Sequence, residues 1–212
     1  MKKAIFLACT LGWLAGCSRP EIKGDGVVKT EDRPVTDFTG VSASGGYRIT
    51  WSRGQPALTI SVDENLLPLI KTSVEGRTLR IDSDQPLGPT REITITISSA
   101  DLSSVHLSGG MRFFARGISA SRFELSATGA SDVAMDGSVT EFDARLTGAG
   151  HLNAASLHAQ NARLSLVGAS DAHVYVTDDL SVSITGAGSL TYAGKPKMLT
   201  RSVIGSGRIA ED

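Results

Sequence analysis

Aromatic side chains are scarce in this 212-residue chain, in which Phe, Trp and Tyr make up 5% of the residues. The chain therefore offers few surfaces on which sugars, bases or flat cofactors could stack. Basic runs are also missing, since 21 Lys and Arg are balanced by 22 Asp and Glu, for a net charge of −1. Binding to phosphate backbones needs a basic surface, so this balance argues against nucleic acid as a partner. No Gly-x-Ser-x-Gly elbow, Walker-type loop or calcium-binding nonapeptide series occurs, and we expect no cofactor and no catalytic residue.

Cysteine occurs only at positions 9 and 17. Lys2 and Lys3 precede an apolar run that is too short to span a bilayer, which is typical of an export signal. The next residues, Leu14-Ala15-Gly16-Cys17, resemble the lipobox of bacterial lipoproteins. The resemblance implies cleavage before Cys17 and a lipid anchor on its thiol, through which the mature chain would bind a membrane. Ser18 after this cysteine then favours the outer membrane, with the leaflet left open.

We predict three regions from these features. Residues 1–16 form a lipoprotein signal peptide, and residues 17–34 contain the lipidated cysteine and a tether rich in Pro, Gly and charge. Residues 35–212 form one β-rich domain, in which 35–107 are less regular and 108–212 are regular.

A repeat of about 19 residues marks the regular part. Glycine followed by small residues occurs six times, at Gly109, Gly129, Gly148, Gly168, Gly186 and Gly205. Only Met111 departs from the small-residue rule, and the steps between glycines are 20, 19, 20, 18 and 19 residues. A fixed period of this kind is typical of a solenoid in which each repeat is one coil and the glycines form a corner.

Apolar residues alternate with polar ones on both sides of these glycines, as in Phe123, Leu125 and Ala127 before Gly129 and Val133 after it. A period of two predicts strands with one buried face. A third apolar position at Ile118, Val139 and Leu157 indicates a third strand, with variation in coil length absorbed at the last corner.

The predicted fold class is therefore all-β: a right-handed parallel β-helix with an irregular N-terminal β cap. We expect one inward column formed by Leu125, Leu146, Leu164, Val182 and Val203. In the cap, Asp63 is expected to begin a short helical turn that Pro68 ends.

The third position after each corner glycine places Asp132, His151 and Asp171 on consecutive coils, with Cα atoms about 5 Å apart. Such side chains could share a divalent cation or perform acid/base chemistry. They fit equally a solvated ladder beside a turn, where Asp and Ser are common. We expect the solvated ladder and no metal site.

A second outward ladder stacks Glu124 on Asp143. A β-helical glycosidase or polysaccharide lyase needs such a carboxylate pair. Arg163 continues the ladder and Arg145 lies two residues beyond Asp143, so ion pairs between coils explain the carboxylates more simply.

Three aromatic side chains outside these ladders, Trp51, Tyr175 and Tyr192, are candidate sugar contacts, although packing explains them more simply. Trp51 and Tyr192 follow the inward alternation and are predicted to pack in the core. His158 and His173 stand alone in the sequence and are interpreted as surface residues.

The chain resembles a known family through four motifs in order, which are 35-VTDFTGV-41, 62-VDENL-66, 74-VEGRTLRI-81 and the Gly-Ala-Gly or Gly-Ala-Ser corners. It is similar to the putative auto-transporter adhesin, head GIN domain family, over roughly residues 35–210. The resemblance implies an exported β-helical protein and adhesion by analogy, and it supplies no catalytic residues.

Two functions from different classes are open. The sequence favours a membrane-anchored envelope lipoprotein that presents a non-catalytic β-helical surface to an unidentified glycan or protein. The alternative is a carbohydrate-active enzyme, a polysaccharide lyase or glycosidase, on the same fold.

Overall fold

The computed structural model describes residues 20–212, which form strands and a single 3₁₀ turn, Leu67–Leu69. None of these residues belongs to a helix long and apolar enough to cross a membrane. The lipidation predicted at Cys17 lies outside the described residues. The strands are β1 (Ile22–Lys23), β2 (Val28–Arg33), β3 (Gly40–Gly45), β4 (Tyr47–Arg53), β5 (Ala57–Asp63), β6 (Ile70–Glu75), β7 (Thr78–Ser83), β8 (Leu87–Gly88), β9 (Ile93–Ser99), β10 (Ser104–Gly109), β11 (Arg112–Gly129), β12 (Asp132–Gly148), β13 (His151–Gly168), β14 (Asp171–Gly186), β15 (Ser189–Ala193), β16 (Met198–Gly205) and β17 (Arg208–Glu211).

The C-terminal part is a parallel β-solenoid of about five turns, as the repeat predicts. Strands β10 to β17 pair only in parallel, each with the strand one coil away. Gly109, Gly129 and Gly148 align with one another at the corner. The third strand is also present, because residues 118–122 pair with 137–141 and these pair with 157–161.

The corners require glycine. Gly129 has φ +111°, and a Cβ there would lie 2.5 Å from the carbonyl oxygen of Gly109. Neither the backbone conformation nor the spacing between coils leaves room for a side chain. The repeated corner glycine of the sequence is thus a consequence of coils stacking directly on one another.

The predicted inward column is correct in part. Leu125, Leu164 and Val182 align through Ala144, and all are buried. Leu146 and Val203 belong to the adjacent column, because they lie two residues before their corner glycines and the others lie four. Val203 is 41% exposed, since no later strand of the described chain pairs with β16.

The prediction that the last corner absorbs the variation in coil length is wrong. The register shifts between Ala115 and Ile118 and between Ala134 and Asp136, where the second strand of a coil turns into the third. An extra residue fits there because backbone pairing is interrupted at a bend. A shift near the last corner occurs only between β13 and β14, at Ala159 to Asn161.

The less regular N-terminal part caps the solenoid, as expected. β3 and β4 form a coil between the coil of β10 and β11 on one side and that of β7 and β9 on the other. The antiparallel strands β2, β5 and β6 follow outside it. They cover the end of the core, which would otherwise expose apolar side chains and an unpaired sheet edge.

Residues 22–33 belong to the folded domain and not to the predicted tether. β2 pairs with β5 along its whole length, and the guanidinium of Arg33 donates to the carbonyls of Leu67 (2.8 Å) and Ile70 (2.5 Å). β5 needs this partner, because one of its edges would otherwise be exposed.

Asp63 does not cap the 3₁₀ turn, because the N-cap residue is Leu66, which makes no side-chain cap hydrogen bond. Its buried carboxylate instead accepts hydrogen bonds from the amides of Gly26 and Thr90, both at 2.9 Å, and from the Thr90 hydroxyl at 2.6 Å. These bonds, above all the one from the Thr90 hydroxyl, lower the pKa of Asp63. The sequence-based prediction failed because the partners lie 37 and 27 residues away.

Candidate functional site

The predicted ladder of Asp132, His151 and Asp171 forms in register on β12, β13 and β14, with all three residues exposed. Asp171 accepts a hydrogen bond from the hydroxyl of Ser189 on the next coil. Within residues 20–212 no group of three His, Cys, Asp or Glu side chains is arranged to hold a metal ion. The ladder is a row of exposed acidic and imidazole side chains that follows the solenoid axis.

Arg112 and then Arg48 extend this row toward the cap, and the sequence analysis missed Arg48 and the neighbouring Glu92. Arg48 aligns with Arg112, and the carboxylate of Glu92 lies 2.6 Å from both guanidinium groups. The hydrogen bond from Arg48 is the main cause that lowers the pKa of Glu92. Arg48 also lies over the ring of Phe114, 5.5 Å from its centroid. No periodic signal pointed to this cluster, because Arg48 precedes its neighbour by 64 residues.

The ladder of Glu124 and Asp143 is neutralised by arginines, as the sequence analysis expected. Arg145 lies 3.1 Å from Glu124, while Arg122 and Arg163 lie 2.6 and 3.4 Å from the two oxygens of Asp143. Each bridge joins adjacent coils. The Asp143 side chain is only 12% exposed, so removal of these partners would leave a nearly buried carboxylate unpaired.

The aromatic and imidazole residues singled out in the sequence divide into core and surface. Trp51 is fully buried and donates to the hydroxyl of Ser99 (2.9 Å), and Tyr192 is 9% exposed, so the packing predictions are confirmed. The two histidines do not stand alone. His173 lies edge-on to His151, with centroids 5.9 Å apart, and His158 lies 4.5 Å from Tyr175. The sequence separations of these pairs are close to one coil, so the period itself could have indicated them.

Several clefts interrupt the outer surface. One, of about 350 Å³, lies where the third strand turns into the next coil, over Ala162 between Phe142 and Leu180. The alanine leaves a depression because it replaces a larger side chain of the same column. Asp143 and Arg163 line it but are already paired with each other.

The second cleft, of about 720 Å³, lies at the first corner of the coil formed by β3 and β4. Its floor is Gly45, Gly46 and buried Tyr47, and the loop after β7 forms its wall. Burial raises the pKa of Tyr47, partly offset by a hydrogen bond with Ser83.

Solved structures resemble the whole described chain. A putative adhesin from Bacteroides fragilis covers 90% of this chain and 100% of its own, with 21% identity and a TM-score of 0.74. A second structure is a putative lipid binding protein from Parabacteroides distasonis, which covers 91% of this chain and 100% of its own, with 21% identity and a TM-score of 0.59. A third is a putative adhesin from Parabacteroides merdae, which covers 91% of this chain and 99% of its own, with 20% identity and a TM-score of 0.57. At such identities the likeness shows the fold alone.

None of the curated proteins compared with the chain matches it. The family model of the putative auto-transporter adhesin, head GIN domain, matches residues 37–196. This range contains both ladders, five of the six predicted corners, the whole lining of the 720 Å³ cleft, and the lining of the 350 Å³ cleft apart from Met198 and Thr200. Since this match spans most of the chain, the protein belongs to the head GIN domain family of putative auto-transporter adhesins.

Proposed function

We propose that this protein is an exported lipoprotein, anchored to a membrane of the cell envelope through Cys17, whose solenoid binds an envelope glycan or protein without chemical turnover. The lipobox-like segment supports the anchor, and membership of an adhesin family supports binding as the activity. The outer membrane is the proposed location, because Ser18 follows the anchor cysteine.

The ion pairs that Glu124 and Asp143 form with arginines support the proposal that the protein is not an enzyme. A glycosidase needs one protonated carboxyl and one free carboxylate on either side of the scissile bond. Here arginines already contact one oxygen of the Glu124 carboxylate and both oxygens of the Asp143 carboxylate. We therefore assign Glu124 and Asp143 a structural role, in which their ion pairs join adjacent coils, and assign ligand binding to other exposed side chains.

The row of Asp132, His151 and Asp171 is the proposed contact surface. Its side chains are exposed, and consecutive ones are separated by one coil. The backbone that bears them is hydrogen-bonded from each coil to the next. A surface fixed in this way loses little conformational entropy when it binds.

Binding of the purified full-length chain to intact cells and to a panel of envelope and host polysaccharides tests the proposal, with products analysed in parallel. We expect saturable binding without new products, and at least tenfold weaker binding by an Asp132→Ala/Asp171→Ala double variant. A Ser165→Ala/Ser183→Ala double variant, altered on a different outward ladder, should bind like the wild type. Turnover that disappears in the Asp132/Asp171 variant would establish the enzyme instead, and the absence of any binding would refute the proposal.

A further inference from the structure

The inward side chains of the last coil, β16 and β17, differ in kind from those of the coils before it. In the preceding coil the side chains at these positions are apolar or aromatic and all are buried. The last coil repeats the positions with Leu199, Arg201, Val203, Ile209 and Glu211. The solenoid therefore ends in a surface, called here the open end, that combines apolar side chains with two charges of opposite sign.

The two charges occupy columns that belong to the core. Arg201 aligns with buried Val182, and Glu211 aligns with buried Tyr192. Both charged side chains are exposed. Inward charges at the edge of a sheet prevent unspecific pairing with other strands. A partner at the open end must therefore place a carboxylate against Arg201 and a cation against Glu211.

The residues whose side chains point inward are also those whose peptide groups face the open end. On β17 the amide of Arg208 donates back to the preceding coil, so the peptide groups of Ile209, one residue later, face the other way. On β16 the residue equivalent to Thr200 is Glu124, whose amide also donates back. The peptide groups of Arg201 therefore face the open end.

A second copy of the chain can meet these requirements with its own open end. The N-terminal end of the solenoid is not available, since the strands of the cap cover it. Two identical ends meet through a two-fold axis. An axis through the corner between β16 and β17, at Ser206, lays β16 of each copy antiparallel on β17 of the other. Each residue then lies opposite the residue that is equally far from Ser206 on the other side.

This register matches the side chains of the two strands. It places Val203 opposite Ile209 of the second copy and Arg201 opposite Glu211 of the second copy. In both pairs the peptide groups face each other, as in the hydrogen-bonded pairs of an antiparallel ladder, and opposite charges across such a ladder are stabilising. A shift of two residues would place Val203 opposite Glu211, or Arg201 opposite Ile209. A shift of one residue would oppose inward with outward side chains.

We propose that the open end is a homodimer contact, in which β16 and β17 of two copies pair antiparallel and Arg201 of each copy forms an ion pair with Glu211 of the other. The contact covers the apolar side chains of Val203 and Ile209. It leaves the exposed row on β12, β13 and β14 free, because that row faces away from the solenoid axis. The inference thus goes beyond the proposed function, and either one can fail without the other.

Sedimentation equilibrium of the full-length chain tests the contact, in a Cys9→Ser/Cys17→Ser background that excludes lipid attachment and disulfides. We expect a monomer–dimer equilibrium. Arg201→Glu and Glu211→Arg each bring like charges together and should weaken dimerisation at least tenfold. In an equimolar mixture of these two variants both ion pairs are restored with reversed sign on one side, so the mixture should dimerise like the wild type. Arg91→Glu, the same charge change at an exposed position in the cap, is the control and should also dimerise like the wild type.

Disulfide formation tests the register separately. Ser202 and Ala210 of the second copy lie opposite one another and face outward, at a Cα separation of about 4.5 Å that a disulfide can span. Ser202→Cys/Ala210→Cys should therefore form a covalent dimer on oxidation, and neither single cysteine variant should do so. A wild type that stays monomeric up to about 1 mM, equal dimerisation of the wild type and Arg201→Glu, or a mixture of the two charge variants that stays monomeric would overturn the proposal. A double cysteine variant that forms no covalent dimer would overturn the register.

Discussion

The guanidinium of Arg122 lies 2.6 Å from the carboxylate of Asp143, one coil further along the solenoid. Arg163 approaches the same carboxylate from the other side at 3.4 Å, so three consecutive coils are joined through one nearly buried charge. In the sequence, Glu124 and Asp143 resemble a catalytic carboxylate pair, whereas these contacts give Asp143 a structural role.

Loss of this contact should destabilise the protein. Arg122→Ala leaves Asp143 with one distant cation, and we expect a loss of about 1–3 kcal/mol in the free energy of unfolding, measured by urea denaturation. Arg145→Ala is the control, because its pair with Glu124 is exposed on both sides and should contribute about 0–1 kcal/mol. Equal losses in the two variants would mean that the burial of Asp143 does not increase the contribution of its ion pair to the free energy of unfolding.

A corner glycine should not tolerate a methyl group. In Gly129→Ala, the positive φ and the 2.5 Å approach to Gly109 predict a loss of about 2–4 kcal/mol. Gly110→Ala should change stability by less than about 0.5 kcal/mol, because its Cβ would have no neighbour within 4 Å. Thermal unfolding of both variants compares them directly, and a stable Gly129→Ala protein would contradict the stacking of the corners.

The inward columns should be sensitive to cavities. Truncation of Leu164, which is 1% exposed, to Ala should cost about 2–5 kcal/mol. Ser165→Ala, one residue away on the outward face, should cost less than about 0.5 kcal/mol. Urea denaturation gives the free energy of unfolding of both variants. Equal losses for Leu164→Ala and Ser165→Ala would contradict a tightly packed core at Leu164.

Asp63 should make stability depend on acid pH. Its folded-state pKa is lower than its usual value of 3.8, so its stabilising effect is complete above that value and is lost as pH falls through the folded pKa. The unfolding free energy of the wild type should therefore decrease below about pH 4. Thr90→Val removes the strongest of the hydrogen bonds and should flatten this decrease, whereas an unaltered pH profile would refute the role given to Asp63.

Membrane attachment should depend on a single thiol. Cys17→Ser should move the protein from the membrane to the soluble fraction, because the acyl chains supply the affinity for the bilayer. Mass spectrometry of the wild type should find an N-terminal Cys17 that carries lipid. An unmodified Cys17, or a mature chain that starts elsewhere, would contradict this prediction.

The period of about 19 residues allowed much of the solenoid to be predicted. Because the corner glycines set the register, counting from them correctly placed Asp132, His151 and Asp171 side by side, as well as Glu124, Asp143 and Arg163. The same counting identified the buried face of each strand. Such inferences succeed because successive coils are also successive in the chain.

Only the tertiary structure decided the order of the coils at the N-terminal end and the position of the 720 Å³ cleft beside Gly45. β3 pairs with β10 across 64 residues and with β7 on its other edge, so Gly45 has no corner glycine one period away in the chain. Asp63 likewise finds its partners in two distant segments. A repeat in the sequence specifies contacts between neighbouring repeats, whereas contacts between segments without a common period depend on which edges and donors remain unpaired once the chain has folded.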